Sequence, residues 1–376
     1  MSLEALTEIS RFYGSNPDFV LAGGGNTSWK DDGTLYVKGS GMPLADVSPE
    51  SFVQMNRDAL AKIWEKQYPE SSGAREKEVL SDMMAARKPG EEQKRPSVEA
   101  LLHDILPFPL VVHLHPALVN GLACSKQGEL AMKAIFGNEA VWIPSINPGY
   151  ILSKAVKSAM EDYCAACGKM PSIIFLQNHG VFTGGATENG IKKIYDTIIS
   201  KIDARIKRRP DFSDEKREPV NCDAQDGGIG STLAKLSGSN IALMQGKEIS
   251  ALVQNREAFN PASSAFTPDH IVYSGSDPLF IADSRASCIA ESWADHVQKT
   301  GRNPKIAAVR GLGVYGMGAS EKAASLALDL FKDTVKIAIY SESFGGPLHM
   351  SRDKIDFINN WEVERFRAGV SARSMA

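Results

Sequence analysis

No apolar run in this 376-residue chain approaches the ~20 residues that a membrane-spanning helix needs. A basic excess is missing too. Lys and Arg total 42 against 45 Asp and Glu, so no positive field invites nucleic acid. The first residues, MSLEALTEISRF, carry acids and no apolar signal core, which argues against secretion. Cysteine is scarce and odd in number, five in all, which fits a reducing compartment better than a disulfide framework. The expected location is therefore cytoplasmic, with neither a membrane nor a nucleic acid as partner. Cys164 and Cys167 form a lone CxxC at the end of a helical pattern. With no second CxxC to complete a zinc site, the pair reads as structural. No internal repeat stands out. A literal GxGxxG occurs at Gly311, Gly313 and Gly316. Too little chain follows for a dinucleotide-binding domain, so a tight strand-to-helix turn is expected there.

What is present centres on PSVEALLHDILPFPLVVHLHP, residues 96–116. Its second half reads as a short buried strand, rich in valine and bounded by prolines. Side chains two apart on a strand share a face, so His113 and His115 can reach one point in space. Imidazole suits Zn²⁺ at ~2.0–2.1 Å, and catalytic zinc commonly takes three protein ligands. A third ligand is available in PSIIFLQNHG, where His179 stands at the tip of a second apolar strand. An isolated HxH is more often a pair of ordinary strand histidines. Here the third histidine and the upstream carboxylate of Glu99 favour a metal centre. His103, four residues after Glu99, shares its helix face and reads as a packing histidine.

The rest of the chain is read in order. A helix is expected over Ser2–Tyr13. FVLAGGGNTSWKDDGTLYVKGSG then gives a strand, a glycine loop, a strand, a DDG turn, a strand and a second glycine loop. Gly25 and Asn26 in the first loop offer backbone N–H and polar groups for an anion, as do Ser40 and Gly41 beside Lys38 in the second. Tight turns needing positive φ are the alternative. Ser48 should open a long helix through Lys66, with Pro49 at its first position. Residues 69–95 read as a charged, mobile excursion, and Ser97 as the cap of the Glu99 helix. Further on, a helix, the strand AVWIP, a helix to Cys167, the PSIIFLQNHGVFTGG hairpin and a long helix to Arg209 complete a first region. Residues 1–207 form the expected catalytic domain, 208–236 a linker and 237–376 a C-terminal α/β extension. That extension should open with a helix over SNIALMQGKEISALVQN.

GGGNTS, KGSGM, PSVEALLH, HLHP and QNHGVF, in this order, resemble the class II aldolase/adducin family over about residues 10–207. The TPDH and RGLGVYGMG segments are similar to the tail of the aldolase half of bifunctional rhamnulose-1-phosphate aldolase/lactaldehyde dehydrogenases. The resemblance implies an α/β fold, three-layer α/β/α with a central, mainly antiparallel sheet. It implies a zinc site at His113, His115 and His179, Glu99 as catalytic acid/base, and phosphate binding by Gly25, Asn26, Ser40, Gly41 and Ser97. It also implies a homo-oligomer, most simply a tetramer. Val98 stands where many family aldolases have a second serine, and Gly23 where they have a hydroxyl; Lys38 could compensate. Some members borrow a tyrosine to protonate the aldehyde, and Tyr150 is a weak match.

The function implied is zinc-dependent cleavage of a ketose phosphate to dihydroxyacetone phosphate and an aldehyde, through a metal-stabilised enediolate. A sugar-phosphate 4-epimerase, a dehydratase and a non-catalytic adducin-like module are the alternatives.

Overall fold

The computed structural model describes residues 2–220, 228–364, 366 and 369–370. Residues 221–227, within the expected linker, lie outside the described residues. The chain divides into two compact units. The first comprises Met1–Ala123, Gln127–Arg205 and Trp361–Arg367, the second Cys124–Lys126, Ile206–Asn360 and Ala368–Ala376.

The first unit contains strands β1 (Asn26–Lys30), β2 (Thr34–Lys38), β3 (Phe52–Asn56), β4 (Leu110–Leu114), β5 (Val141–Ile143), β6 (Ile173–Leu176) and β7 (Gly180–Gly185). They form one sheet in the order β3-β2-β1-β4-β7-β6-β5. Only β5 and β6 run parallel; the other neighbours are antiparallel. Strand alternation sends neighbouring side chains to opposite faces. On one face Thr27 bonds Ser10 of the helix Leu3–Gly14, and Tyr13 of that helix meets Tyr195 of the helix Glu188–Asp203. On the other, Val111, Ile174 and Phe182 pack with Leu102 and Leu106 and with Leu152, Val156 and Met160 of the helix Tyr150–Cys167. The three-layer α/β/α arrangement with a mainly antiparallel sheet follows.

The second unit contains β8 (Lys216–Pro219), β9 (Asn240–Gln245), β10 (Leu279–Ile281), β11 (Ile306–Val309) and β12 (Gly313–Gly318), in the order β10-β11-β12-β9-β8. Here too one pair, β10 and β11, is parallel and the rest are antiparallel. Met244, Ala308 and Val314 pack on Leu328 and Phe331 of the helix Glu321–Ser341. Ile241, Ala307 and Tyr315 pack on the opposite face with Leu233, Ile289 and Trp293.

This order repeats the first sheet read as β5-β6-β7-β4-β1, so the expectation of no internal repeat is corrected. The repeat extends to detail. Gln177, Asn178 and His179 turn β6 into β7; Arg310, Gly311 and Leu312 turn β11 into β12. Asn178 and Gly311 both have positive φ, 59° and 74°. Thr187 and Ser320 cap the following helices by accepting from Gly190 N and Ala323 N. The GxGxxG therefore lies on a hairpin turn and the strand after it, and the expected strand-to-helix turn is corrected with it.

Other expectations also shift. No strand forms at residues 19–22, which run as turn and irregular backbone. The helix expected from Ser48 is one 3-10 turn, Pro49–Ser51, closed by a Ser48–Ser51 capping box. FVQMN then pairs with β2 as an edge strand. The helix proper, Arg57–Ile63, starts at Asn56, whose side chain caps Ala59 N. The charged 69–95 stretch holds the helix Ser72–Ala85, whose Val79 and Met83 pack with Leu60 and Ile63. NIALMQ is the interior strand β9, and its helix begins only after Gly246, with φ 148°. In both misread stretches, pairing with a neighbouring strand outweighs local helix preference.

Candidate metal centre

β4 is buried throughout, and it carries His113 with His115 just beyond its end. The β6–β7 turn brings His179 to them. Gly180 allows this approach: a Cβ there would stand 2.5 Å from the Leu114 carbonyl oxygen and 2.6 Å from the His115 ring. The His113 Nε2 lies 2.9 Å from His115 Nε2 and 3.4 Å from His179 Nε2. Ligand nitrogens on a tetrahedral zinc at ~2.0–2.1 Å stand roughly 3.3–3.4 Å apart. The Val181 carbonyl, 3.1 Å from His113 Nδ1, can only accept. Nδ1 therefore carries the proton, and the Nε2 lone pair faces the cluster. Among the described residues these three histidines form the group able to hold a metal, with one donor atom each within 4.8 Å of the others.

Glu99 closes the site. Its Oε1 is 3.5 Å from both His113 Nε2 and His179 Nε2, is buried and has no hydrogen-bond partner. A buried carboxylate oxygen left so beside converging imidazole lone pairs fits a divalent cation among them. Burial opposes ionisation of Glu99. Positive charge among His113, His179 and His115, and the Asn26 hydrogen bond, act the other way and lower the carboxyl. For His113 burial dominates and keeps the imidazole neutral, well below its ordinary range, despite the pull of Glu99. A neutral imidazole is the form that ligates.

The other oxygen of Glu99 is held by a chain of hydrogen bonds. Asn26 stands opposite His113 in the β1–β4 register. Its Nδ2 donates to Glu99 Oε2 at 2.6 Å and to Ser97 Oγ at 3.2 Å. Its Oδ1 meets His103 Nε2. An amide oxygen only accepts, so Nε2 donates, and His103 Nδ1 takes the Ser28 hydroxyl proton at 2.6 Å. His103 is wholly buried. Burial, with Lys30 and Lys38 adding to it against Glu99, lowers its pKa to about 3. The expected packing histidine thus fixes the orientation of the Asn26 amide. Lys30, lowered by burial to about 7, donates to the His103 carbonyl.

Ser97 is not the helix cap that was expected. The helix is Ala100–Ile105, and the Ser97 hydroxyl accepts from Glu99 N at 3.2 Å. Gly25, with φ 62°, lies where a Cβ would meet the His113 carbonyl oxygen at 2.9 Å. In the second loop Ser40 N donates to the Arg95 carbonyl and Ser97 N to the Lys38 carbonyl. Gly41 has φ 83°. Lys38 is buried, and its ammonium donates to the Met42 carbonyl at 2.5 Å. It closes the turn holding Ser40 and Gly41. Tyr150 packs its ring on Trp64 and Tyr68. Sequence reasoning missed the tie from Asn26 to Glu99 and the role of His103. The residue types around Asn26 and His103 were legible.

The model of the Class II Aldolase and Adducin N-terminal domain matches residues 4–191. A curated relative, an uncharacterized oxidoreductase YuxG of Bacillus subtilis (strain 168), is 23% identical over 412 residues. The alignment covers 97% of this chain and 58% of that protein, so the chain spans less than two thirds of its relative's length. Among solved structures, the N-terminal class II aldolase domain of a conserved Thermoplasma acidophilum protein is 28% identical, covering 54% of this chain and 93% of that one with a TM-score of 0.45. An L-fuculose-1-phosphate aldolase from Thermus thermophilus is 16% identical over 53% of this chain and 89% of that one, with a TM-score of 0.34.

Proposed function

This chain belongs to the class II aldolase and adducin family, and from that premise we propose that it is a zinc-dependent aldolase, or one using a similar divalent ion. Its substrate is a ketose phosphate of the rhamnulose-1-phosphate kind, cleaved to dihydroxyacetone phosphate and an aldehyde. The observation that carries this reading is the convergence of three imidazoles, two of them 3.5 Å from a buried carboxylate oxygen. An adducin-like module with no chemistry to perform has no need of such a costly buried group.

His113, His115 and His179 would hold the ion. Bound there, it supplies Lewis acidity for the electron pair left when the C–C bond breaks. Glu99 handles the proton at the carbon that carries this pair. Asn26, itself set by His103 and Ser28, presents a donor to Glu99 Oε2 and keeps Oε1 turned to the histidines. The loops at Gly25 and at Ser40–Gly41, with Ser97, supply the phosphate contacts. Lys38 serves them through the turn that it closes. Assembly as a homotetramer belongs to the same proposal and is checked by light scattering.

The test is product analysis. Metal-replete protein incubated with dihydroxyacetone phosphate and lactaldehyde should give a ketose 1-phosphate, and cleave it in reverse. Inversion of a sugar phosphate without release of either fragment would favour an epimerase instead.

A further inference from the structure

The first unit holds a cavity of about 710 Å³, and no residue of the candidate metal centre lines it. Its wall is aromatic. Trp64 follows the helix Arg57–Ile63, and Tyr150 opens the helix Tyr150–Cys167. Their rings stack with centres 5.7 Å apart, and the Tyr68 ring meets Tyr150 edge-on at 5.0 Å. The backbone fixes Tyr150 in place. Buried Glu76, on the helix Ser72–Ala85, takes the Tyr150 N–H at 3.0 Å. Gly149, with φ 106°, makes room for that carboxylate: a Cβ there would stand 2.3 Å from Glu76 Oε2.

Some polar groups of this wall are committed. The Tyr68 hydroxyl donates to Asp82 at 2.7 Å, Lys66 pairs with the same carboxylate, and Lys157 pairs with Glu161. Others are not. Tyr150 is only 7% exposed, yet its hydroxyl has no hydrogen-bond partner among the described residues. The indole N–H of half-buried Trp64 has none there either. Arg75 gives Nε to Glu76 at 3.3 Å and Nη1 to the Glu70 carbonyl at 2.9 Å, which leaves Nη2. The Lys154 ammonium stands 5.9 Å from the centre of the Tyr150 ring, with no carboxylate partner among the described residues. All four groups donate, and two are cationic. Two exposed carboxylates, Glu65 and Glu70, line the same cavity.

We propose that this cavity binds a nucleoside monophosphate. The base lies against the ring surface that Trp64 gives to the cavity, since every base has a face that stacks on an aromatic side chain. The phosphate takes the Lys154 and Arg75 charges and the Tyr150 hydroxyl proton. The ribose hydroxyls donate to Glu65 or Glu70. A bare phosphate would leave the aromatic wall unused and be repelled by those carboxylates. An uncharged ring would leave the two cations unused. The volume lies in the range of small-molecule sites, roughly 300–1,000 Å³. This inference does not rest on the aldolase reading.

The test is calorimetric titration of the full chain with AMP, with ribose 5-phosphate, which lacks the base, and with adenosine, which lacks the phosphate. AMP should bind once per chain with a Kd below about 1 mM. Each fragment should bind ~10-fold more weakly or worse, through loss of stacking or of charge-assisted hydrogen bonds. Lys154→Glu, at an exposed position, should weaken AMP by ~10-fold or more. Trp64→Leu should weaken AMP by about 10-fold and ribose 5-phosphate by less than about 3-fold. If Trp64→Leu does not fold, the fragments and Lys154→Glu still decide. Affinity for AMP unchanged in Lys154→Glu would place the nucleotide elsewhere and overturn the proposal. Equal affinity for AMP and ribose 5-phosphate would contradict the base platform, and no binding of AMP up to about 5 mM would dismiss the site.

Discussion

The two sheets of this molecule share an order, a parallel pair at one edge, a hairpin turn and a helix cap. They differ where chemistry would occur. His113 pairs across β4–β7 with Phe182, and Leu243 pairs across β9–β12 with Tyr315. His115 has its counterpart in Gln245, and His179 in Leu312. Gly180 and Gly313 are equivalent too: each has no room for a Cβ, against the Leu114 carbonyl in one sheet and the Met244 carbonyl in the other. In the second unit Gln245 Nε2 donates to the Leu312 carbonyl at 2.8 Å, across the gap that the imidazoles fill in the first. The backbone therefore does not make the histidine cluster. It makes a place where three side chains can meet, and the residue types decide what happens there.

Glu99 gives the largest effect that can break this contrast. Glu99→Gln keeps the side-chain shape, so the metal should remain bound. Turnover should fall by ~10²–10⁴, the range for loss of a general base. Gln245→Ala in the second unit should change turnover by less than about 3-fold. Steady-state kinetics and metal analysis on the same preparations decide it; comparable losses in both variants would place chemistry in both sheets.

His103 tests the support beneath Glu99. His103→Leu leaves the Asn26 amide free to turn its oxygen toward the carboxylate. A fall of about 10- to 100-fold in kcat, with KM little changed and metal retained, is expected. Ser28→Ala should act in the same direction more weakly, because the Ser28 hydroxyl fixes the proton on His103 Nε2. A rise in KM alone would mean that His103 shapes only the binding pocket.

Acid should separate the units next. His103 has its pKa lowered by burial to about 3, and His113 is lowered well below its ordinary value. The unfolded chain binds those protons near pH 6.5 and the folded one does not. The contribution of these two imidazoles to stability is therefore whole above about 6.5 and is lost as pH falls toward 3. The second unit also has histidines lowered by burial, His296 and His349, both part-exposed. Hydrogen exchange on metal-free protein should show β4 and β7 losing protection before β9 and β12 between pH 6 and 4, by an amount on the order of a few kcal/mol. Simultaneous loss would contradict the assignment of the acid sensitivity to these buried imidazoles.

The smallest effect is the most pointed. If the sheets share their geometry, Leu243→His, Gln245→His and Leu312→His together should create a second, weaker metal site. Stoichiometry should rise from about one ion per chain toward two at high zinc. No increase would show that the repeat of topology does not extend to side-chain placement.

The candidate metal centre was legible because its signals are local: an HxH on a strand, a histidine at a turn, a glutamate before a short helix. The three-layer fold was legible only through resemblance. The second sheet was hidden by two features. SNIALMQ has the apolar density of a helix and becomes a strand only by pairing with β8 and β12. The glycines at 311, 313 and 316 fit a nucleotide motif in letter, whereas Gly311 and Gly313 serve as Asn178 and Gly180 do in the first sheet, and Gly316 leaves room for the Ala324 carbonyl.

The most direct measurement is metal analysis of the purified protein beside the double variant His113→Ala/His179→Ala, with folding checked by circular dichroism. About one divalent ion per wild-type chain is predicted, and less than about a tenth in the folded variant, with turnover abolished. A folded double variant that keeps its full metal complement would contradict the central claim.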